Sequence, residues 1–393
     1  MAQMRMLVSP EPRGHFVQFC GADDQAGEVI PLGGDAETAI RCSLGVSIMI
    51  GVRRAAVTAI ACILACSAVG SQAFAWGSRG HYLINHLAVA SLPATVPAFM
   101  RTRFADDELT YLGLELDLLK GAGNSWDAEN DPGHYLDLMG DGTLQGGFLL
   151  SELPPTREAY DTALRARGTD QYKDGYLPYS IVQGWEQLRM VFAYWRVDDY
   201  EALHARTARL RAIAALRASV EEQLARRDAG VWGHYVADAS QPLHVTVHFN
   251  GWGKYPNPDG YSNSPHMHDL FETDFVNRFV TEAAVRNRLT PLRLMQPVAL
   301  VSEQSVLNAI EHYLAASNAT VPELFRIDKS GGFTRGTPQA KAFIEARLAF
   351  GASELRNLIV WAWEDSLNQT IGDDAPQRVR DIVLGGATYK GLP

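Results

Sequence analysis

From residue 81 onward, apolar side chains recur every three or four positions over most of the chain, the period that lines one face of an α-helix. The pattern predicts a helix over His81–Ala90, stopped near Pro93, and a second over Leu109–Lys120. Two long Ala/Leu/Arg-rich segments follow, Tyr179–Trp195 and Ala202–Ala225, with Asp198-Asp199 read as the break between them. A further helix is expected over Val231–Ser240, ended before Pro242, and others over 266–280, 302–316 and 337–368. Alternation of period two is scarce and no internal repeat is visible, so the expected fold is all-α, a single predominantly helical domain. Two Gly/Pro-rich stretches, 140–178 and 246–265, read as long loops, a length usually tied to function or mobility. The second carries Phe249, Trp252, Tyr255 and Tyr261, which either pack within the loop or form a platform for a substrate.

A different pattern precedes these helices. Arg53 and Arg54 are followed by a largely apolar, uncharged run from Ala55 to Gly70, then by Ala73-Phe74-Ala75. A short basic region, an apolar run below the ~20 residues of a membrane span and an A-x-A triplet make a signal peptide over 49–75, cleaved after Ala75. Residues 1–48 carry acids, Gly and Pro without helical period; they read as an over-extended start ahead of Met49, or as a disordered arm. A competing reading is lipoprotein processing at Cys66, which would leave Trp76 internal. The helical domain would then occupy 76–393, secreted or periplasmic, with no later stretch apolar enough to span a membrane.

All four cysteines (Cys20, Cys42, Cys62, Cys66) precede Trp76, so a chain starting there has no disulfide, and any metal site in it must use nitrogen and oxygen ligands. The full-chain charge is −10. Five basic and six acidic residues precede Trp76, which leaves about −9 and argues against a broad basic face for duplex nucleic acid.

Ten of the 11 histidines lie after residue 75, and most fall at ligand spacing. His234 and Asp238 are four apart on a predicted helix and share a face. His244 follows Gln241-Pro242-Leu243, a turn that can point it back toward the same place. His268 and Glu272 are again four apart, whereas the i+4 partner of His266 is Leu270. Upstream stand His81, Asp117 and, within Gly133-His134-Tyr135-Leu136-Asp137, His134. Any single pair of this kind is weak evidence. Together, thiolate-free imidazoles and carboxylates suit catalytic zinc, and they exceed what one tetrahedral ion needs. Two or three ions with one bridging carboxylate, Asp238, would use them.

W-G-S-R-G-H at Trp76–His81, then an Asp, G-H-Y-L-D, the H-x3-D-x5-H set of 234–244 and the H-x3-E of 268–272 together resemble one family. This is the trinuclear zinc family of fungal and plant single-strand-specific nucleases, related to bacterial zinc phospholipase C. The resemblance orders the motifs from residue 76 to about 273; beyond that it extends only to generic helices. It implies three zinc ions: one on Asp117, His134, His234 and Asp238; a second on His244, His268 and Glu272; a third on Trp76, His81 and Asp238, with Trp76 giving its freed amine and carbonyl oxygen. Asp127 competes with Asp117 as the early ligand; Asp117 is preferred because Lys120 stands where the nucleases have a basic residue that meets the scissile phosphate. Tyr135 and Asp137 stand where the nucleases stack on a base and read its edge. The implied catalytic groups are Asp117, Lys120 and Asp238.

The expected function is an exported zinc phosphodiesterase that cleaves single-stranded DNA or RNA to 5′-phosphorylated products, with removal of 3′-phosphates as a second activity. Its substrates are single-stranded nucleic acid or nucleotides, and no stable protein partner is implied. Glu272 departs from the Asp of the fungal nucleases and matches phospholipase C, which keeps that activity as the alternative. A zinc-binding protein without catalysis is a third reading. Asn-x-Thr sequons at Asn318 and Asn368 bear on the molecule only in a eukaryotic secretory pathway.

Overall fold

The structure is a computed structural model that describes residues 76–145, 147–293, 303–373 and 375–391. The 1–48 segment, the expected signal peptide at 49–75 and the lipoprotein alternative at Cys66 lie outside the described residues. What is described is predominantly helical, with one two-residue hairpin, β1 (Thr370–Ile371) paired antiparallel with β2 (Gln377–Arg378). In chain order the helices are α1 (Ser78–Ala90), α2 (Arg103–Leu112), α3 (Glu115–Leu119), α4 (Asn124–Asn130), α5 (Arg157–Arg165), α6 (Gln171–Asp174), α7 (Leu177–His204) and α8 (Ala208–Asp238). They continue with α9 (His266–Asp269), α10 (Phe275–Phe279), α11 (Glu282–Arg286), α12 (Glu303–Asn318), α13 (Val321–Lys329), α14 (Gly332–Arg335), α15 (Pro338–Ser366) and α16 (Val379–Val383).

The long helices α7 and α8 pack along each other, and α15 and α1 pack against them. The core between them is built from Trp185, Leu188 and Phe192 of α7, Ile84 and Leu87 of α1, and Leu355, Ile359 and Trp361 of α15. A smaller cluster, Ala193, Val197, Ile371, Val379, Ile382 and Tyr389, seats the C-terminal hairpin and α16 on the far part of α7.

Several boundaries differ from those expected. Helix α7 runs through Asp198-Asp199 without a break, because Asp198 is buried and accepts a 3.1 Å bond from the Arg217 guanidinium of α8. The turn falls instead at Ala205–Thr207, where Thr207 caps α8 by accepting from the Leu210 N–H. The segment expected as a separate helix from Val231 is the last part of α8. The expected Leu109–Lys120 helix is two helices, parted at Gly113-Leu114. The 140–178 stretch is not all loop: Thr156 and Asp170 cap α5 and α6 within it. By contrast, 246–265 contains no helix. Among the described residues no helix is long and apolar enough to cross a membrane.

The C-terminal third, silent in the sequence, braces the end of α8. Three side chains of α12 bind backbone there: Tyr313 Oη donates to Val236 O (2.7 Å), Ser317 Oγ to Ala239 O (2.6 Å) and Asn318 Nδ2 to Val245 O (2.7 Å). The Asn318 sequon is thus buried and its amide committed.

Candidate metal centre and cleft

His81 comes from the first turn of α1, Asp117 from α3, and His134 from the 3-10 turn Asp131–His134. His234 and Asp238 share one face of α8, Nε2 to Oδ2 3.5 Å, as their spacing required. Pro242 opens the 3-10 turn that ends at His244 and returns it to the same place. His268 lies on α9, and the π-turn Leu270–Asp274 that follows carries Glu272, whose Oε2 is 2.9 Å from His268 Nε2. All eight side chains are buried.

Close backbone approach makes this convergence possible. A Cβ on Gly113 would meet Asn85 Nδ2 at 2.6 Å, and one on Gly233 would meet Asn85 Oδ1 at 2.5 Å. Asn85 itself donates to Leu109 O (2.7 Å) and Gly230 O (3.0 Å), tying α1 to α2 and α8. The His81 and His234 rings consequently stack at 3.9 Å.

Backbone carbonyls fix the histidine tautomers. A carbonyl oxygen only accepts, so Nδ1–H donates in His234 to Gly113 O (2.7 Å), in His244 to His134 O (2.8 Å) and in His268 to Phe249 O (3.0 Å). Each Nε2 is left with its lone pair, the arrangement that orients metal-binding imidazoles.

The donors form three buried sets whose ligand atoms lie within 4.8 Å of one another: His81, His234 and Asp238; Asp117, His134 and His234; His244, His268 and Glu272. These sets could hold metal ions. The two oxygens of Asp238 face different imidazoles, Oδ2 lying 3.0 Å from His134 Nδ1 and Oδ1 3.6 Å from His81 Nε2. Among the described residues no hydrogen bond reaches either His81 ring nitrogen, Asp238 Oδ1, His244 Nε2 or Glu272 Oε1. Buried polar atoms are rarely left this way, and nitrogen and oxygen donors without thiolate fit a divalent ion. Burial holds the His81, His134 and His244 imidazoles well below their ordinary pKa, hence neutral and fit to ligate. Burial, with Asp117 nearby, raises Asp238, and burial raises Glu272; a cation among them would reverse that penalty.

Asp117, not Asp127, joins the donor sets: Asp127 sits on α4 and accepts from the Gly121 N–H at 2.9 Å. Lys120 Nζ is 2.6 Å from Asp117 Oδ1. Trp76 buries its ring and donates from Nε1 to Ser240 Oγ (2.8 Å) and Ala237 O (3.1 Å). His266 is exposed and outside the sets.

A cleft of about 340 Å³ opens over these groups, lined by Lys120, Asp131, His134, Tyr135, Asp137, Lys173, Leu243, His244, Phe249, Asn250 and His268. Tyr135 and Asp137 both reach it. Of the loop aromatics, Trp252 and Tyr261 pack internally against His248 and Phe325, while Phe249 is the one that faces the cleft.

Some residues of the site carried no sequence signal of their own. Gln241 is fully buried, its Nε2 3.1 Å from Glu272 Oε2 and 3.2 Å from His268 Nε2. Its place just before Pro242-Leu243-His244 was the only available hint. Lys173 and Asn250 reach the cleft from the two long segments and stand in no motif.

Fold and site together define a helical protein with a buried centre of histidines and carboxylates open to a cleft. Comparison of the chain with protein-family models, with curated proteins and with solved structures gives no match.

Proposed function

We propose that the chain is an exported zinc-dependent phosphodiesterase that cleaves single-stranded DNA or RNA to 5′-phosphorylated products. The observation that carries this is the coincidence of three buried His/Asp/Glu sets with a cleft presenting Lys120, Tyr135 and Asp137. Asp117, His134, His234 and Asp238 would hold one zinc, and His244, His268 and Glu272 a second. His81 and Asp238 would hold a third with the amine and carbonyl oxygen of Trp76, once cleavage after Ala75 frees that amine. The bonds from the Trp76 indole to Ser240 and Ala237 would then anchor the new N-terminus beside α1.

Zinc in these sets would supply Lewis acidity to an attacking water and to the phosphate. The chain's own side chains do the rest. Lys120, at the cleft wall, offers a charge-assisted bond to a phosphate oxygen. Tyr135 offers a face on which one unpaired base stacks, which favours single strands. Asp137 meets the polar edge of that base.

Glu272 supports one other reading, a phospholipase C acting on phospholipid head groups. Release of nucleotides from single-stranded DNA is to be compared with release of phosphocholine from lecithin, using zinc-loaded exported protein. Nucleotide release is expected. Activity on lecithin alone would overturn the proposal in favour of the lipase. Hydrolysis of neither, nor of a chromogenic phosphodiester, would leave a zinc-binding protein without catalysis.

A further inference from the structure

Gln241 is a fully buried polar side chain outside the three donor sets, and it joins the turn that carries His244 to the segment that carries His268 and Glu272. Its backbone continues from α8: the Gln241 N–H donates to Asp238 O at 2.9 Å, and Gln241 O accepts from the His244 N–H at 3.0 Å. Its side chain crosses to the other segment. The amide oxygen accepts from the Leu243 N–H at 2.6 Å, while Nε2 lies 3.1 Å from Glu272 Oε2 and 3.2 Å from His268 Nε2. A backbone N–H can only donate, so the Leu243 contact fixes which end of the amide is oxygen. The NH2 end therefore faces Glu272 and His268.

We propose that Gln241 is a positioning residue for the second zinc: its amide holds Glu272 beside His268 and leaves the other carboxylate oxygen, Oε1, for the ion. This rests on the zinc reading above and is independent of the choice of substrate.

The chemistry of the amide suits this role. His268 Nδ1–H is committed to Phe249 O at 3.0 Å, so its Nε2 carries a lone pair, and Glu272 Oε2 lies 2.9 Å from that nitrogen. Two acceptors this close repel unless a donor or a cation faces both. Gln241 Nε2 is a donor that faces both and carries no charge. A Lys or Arg there would donate equally well but would oppose a cation in the same set. Among the described residues no hydrogen bond reaches Glu272 Oε1. With Oε2 held by the amide, Oε1 is the oxygen that this carboxylate can give to an ion. The amide oxygen of Gln241 is committed to Leu243, which makes Gln241 a support and not a further ligand. Because Leu243 immediately precedes His244, the same side chain also sets the 3-10 turn that returns His244 to the set. One amide thus organises His244, His268 and Glu272 from two separate segments.

The test is zinc binding by the purified protein, stripped of metal and titrated with zinc alone against a chromogenic chelator. In Gln241→Met, which keeps the length of the side chain but not its amide, one of the three zinc ions is expected to bind about 10- to 100-fold more weakly. The other two should keep their wild-type affinity. A merely structural role would weaken all three alike; that result, or unchanged binding, would overturn the inference. The effect should also vanish in a Glu272→Ala background, where the amide has no carboxylate to hold, and a full effect there would count equally against it. If Gln241→Met does not fold, Gln241→Asn, one methylene too short to reach both Leu243 and Glu272, is expected to show the same selective loss. Selective weakening in a protein that cleaves no nucleic acid supports the positioning role and sinks only the nuclease reading. Wild-type protein that takes up no zinc overturns both.

Discussion

Several donor atoms of the centre are buried without a hydrogen bond among the described residues, a cost that a bound cation would offset. Asp238 is fully buried between imidazoles, and His81 has no hydrogen bond at either nitrogen among the described residues. At this scale the sequence was most legible. The i, i+4 spacing of His234/Asp238 and His268/Glu272 and the proline before His244 dictate local geometry, and the structure brings all of them together. The carbonyls that set the imidazole tautomers were not legible, since Gly113, His134 and Phe249 contribute backbone from remote segments. Tyr135 is where the proposed substrate contact is most exposed to test. Stacking is worth roughly 1–3 kcal/mol per base. Tyr135→Ala should thus lower kcat/KM on single-stranded DNA by about 5- to 150-fold while zinc content, measured by elemental analysis, stays constant. Unchanged kinetics would remove Tyr135 from the binding site.

Among the elements, α1 and α8 matter most, because their separation sets the distance between His81 and His234. That separation is fixed by Gly233 and by Asn85, which cannot yield while it holds Leu109 O and Gly230 O. Overpacking of this kind costs about 1–3 kcal/mol. Gly233→Ala is expected to lower the thermal midpoint by that equivalent and also to reduce bound zinc, since the stacked rings must part. Full zinc content with an unchanged midpoint would show that the glycine is not required for close approach. The misplaced helix boundaries have more than one cause, and the one at Asp198-Asp199 comes from pairing between distant elements. Asp198-Asp199 looked like a break because paired acids usually face solvent, but Arg217 of α8 reaches Asp198. The 140–178 segment looked like loop because its Gly and Pro outweigh two short capped helices.

For the molecule as a whole, α8 supplies the central ligands while α12 and α15 hold its end from behind. Tyr313, Ser317 and Asn318 bind its last carbonyls and the turn beyond, and a Cβ on Gly351 of α15 would lie 2.7 Å from Ser240 Oγ. Nothing in the C-terminal third announced this role, because bracing backbone needs no motif. A centre assembled from segments between residues 76 and 272 also links ion binding to global stability. An ion present at ~1,000 times its dissociation constant adds about 4 kcal/mol. Chelation should lower the thermal midpoint by roughly 10 °C, restored by zinc; a midpoint indifferent to chelator would deny that the buried sets are occupied in the native protein. The most direct test of the proposed centre is native mass spectrometry of the protein purified from its host. The expected result is a chain beginning at Trp76 with three zinc ions bound, one for each buried donor set. A metal-free chain, or a single ion, would contradict it.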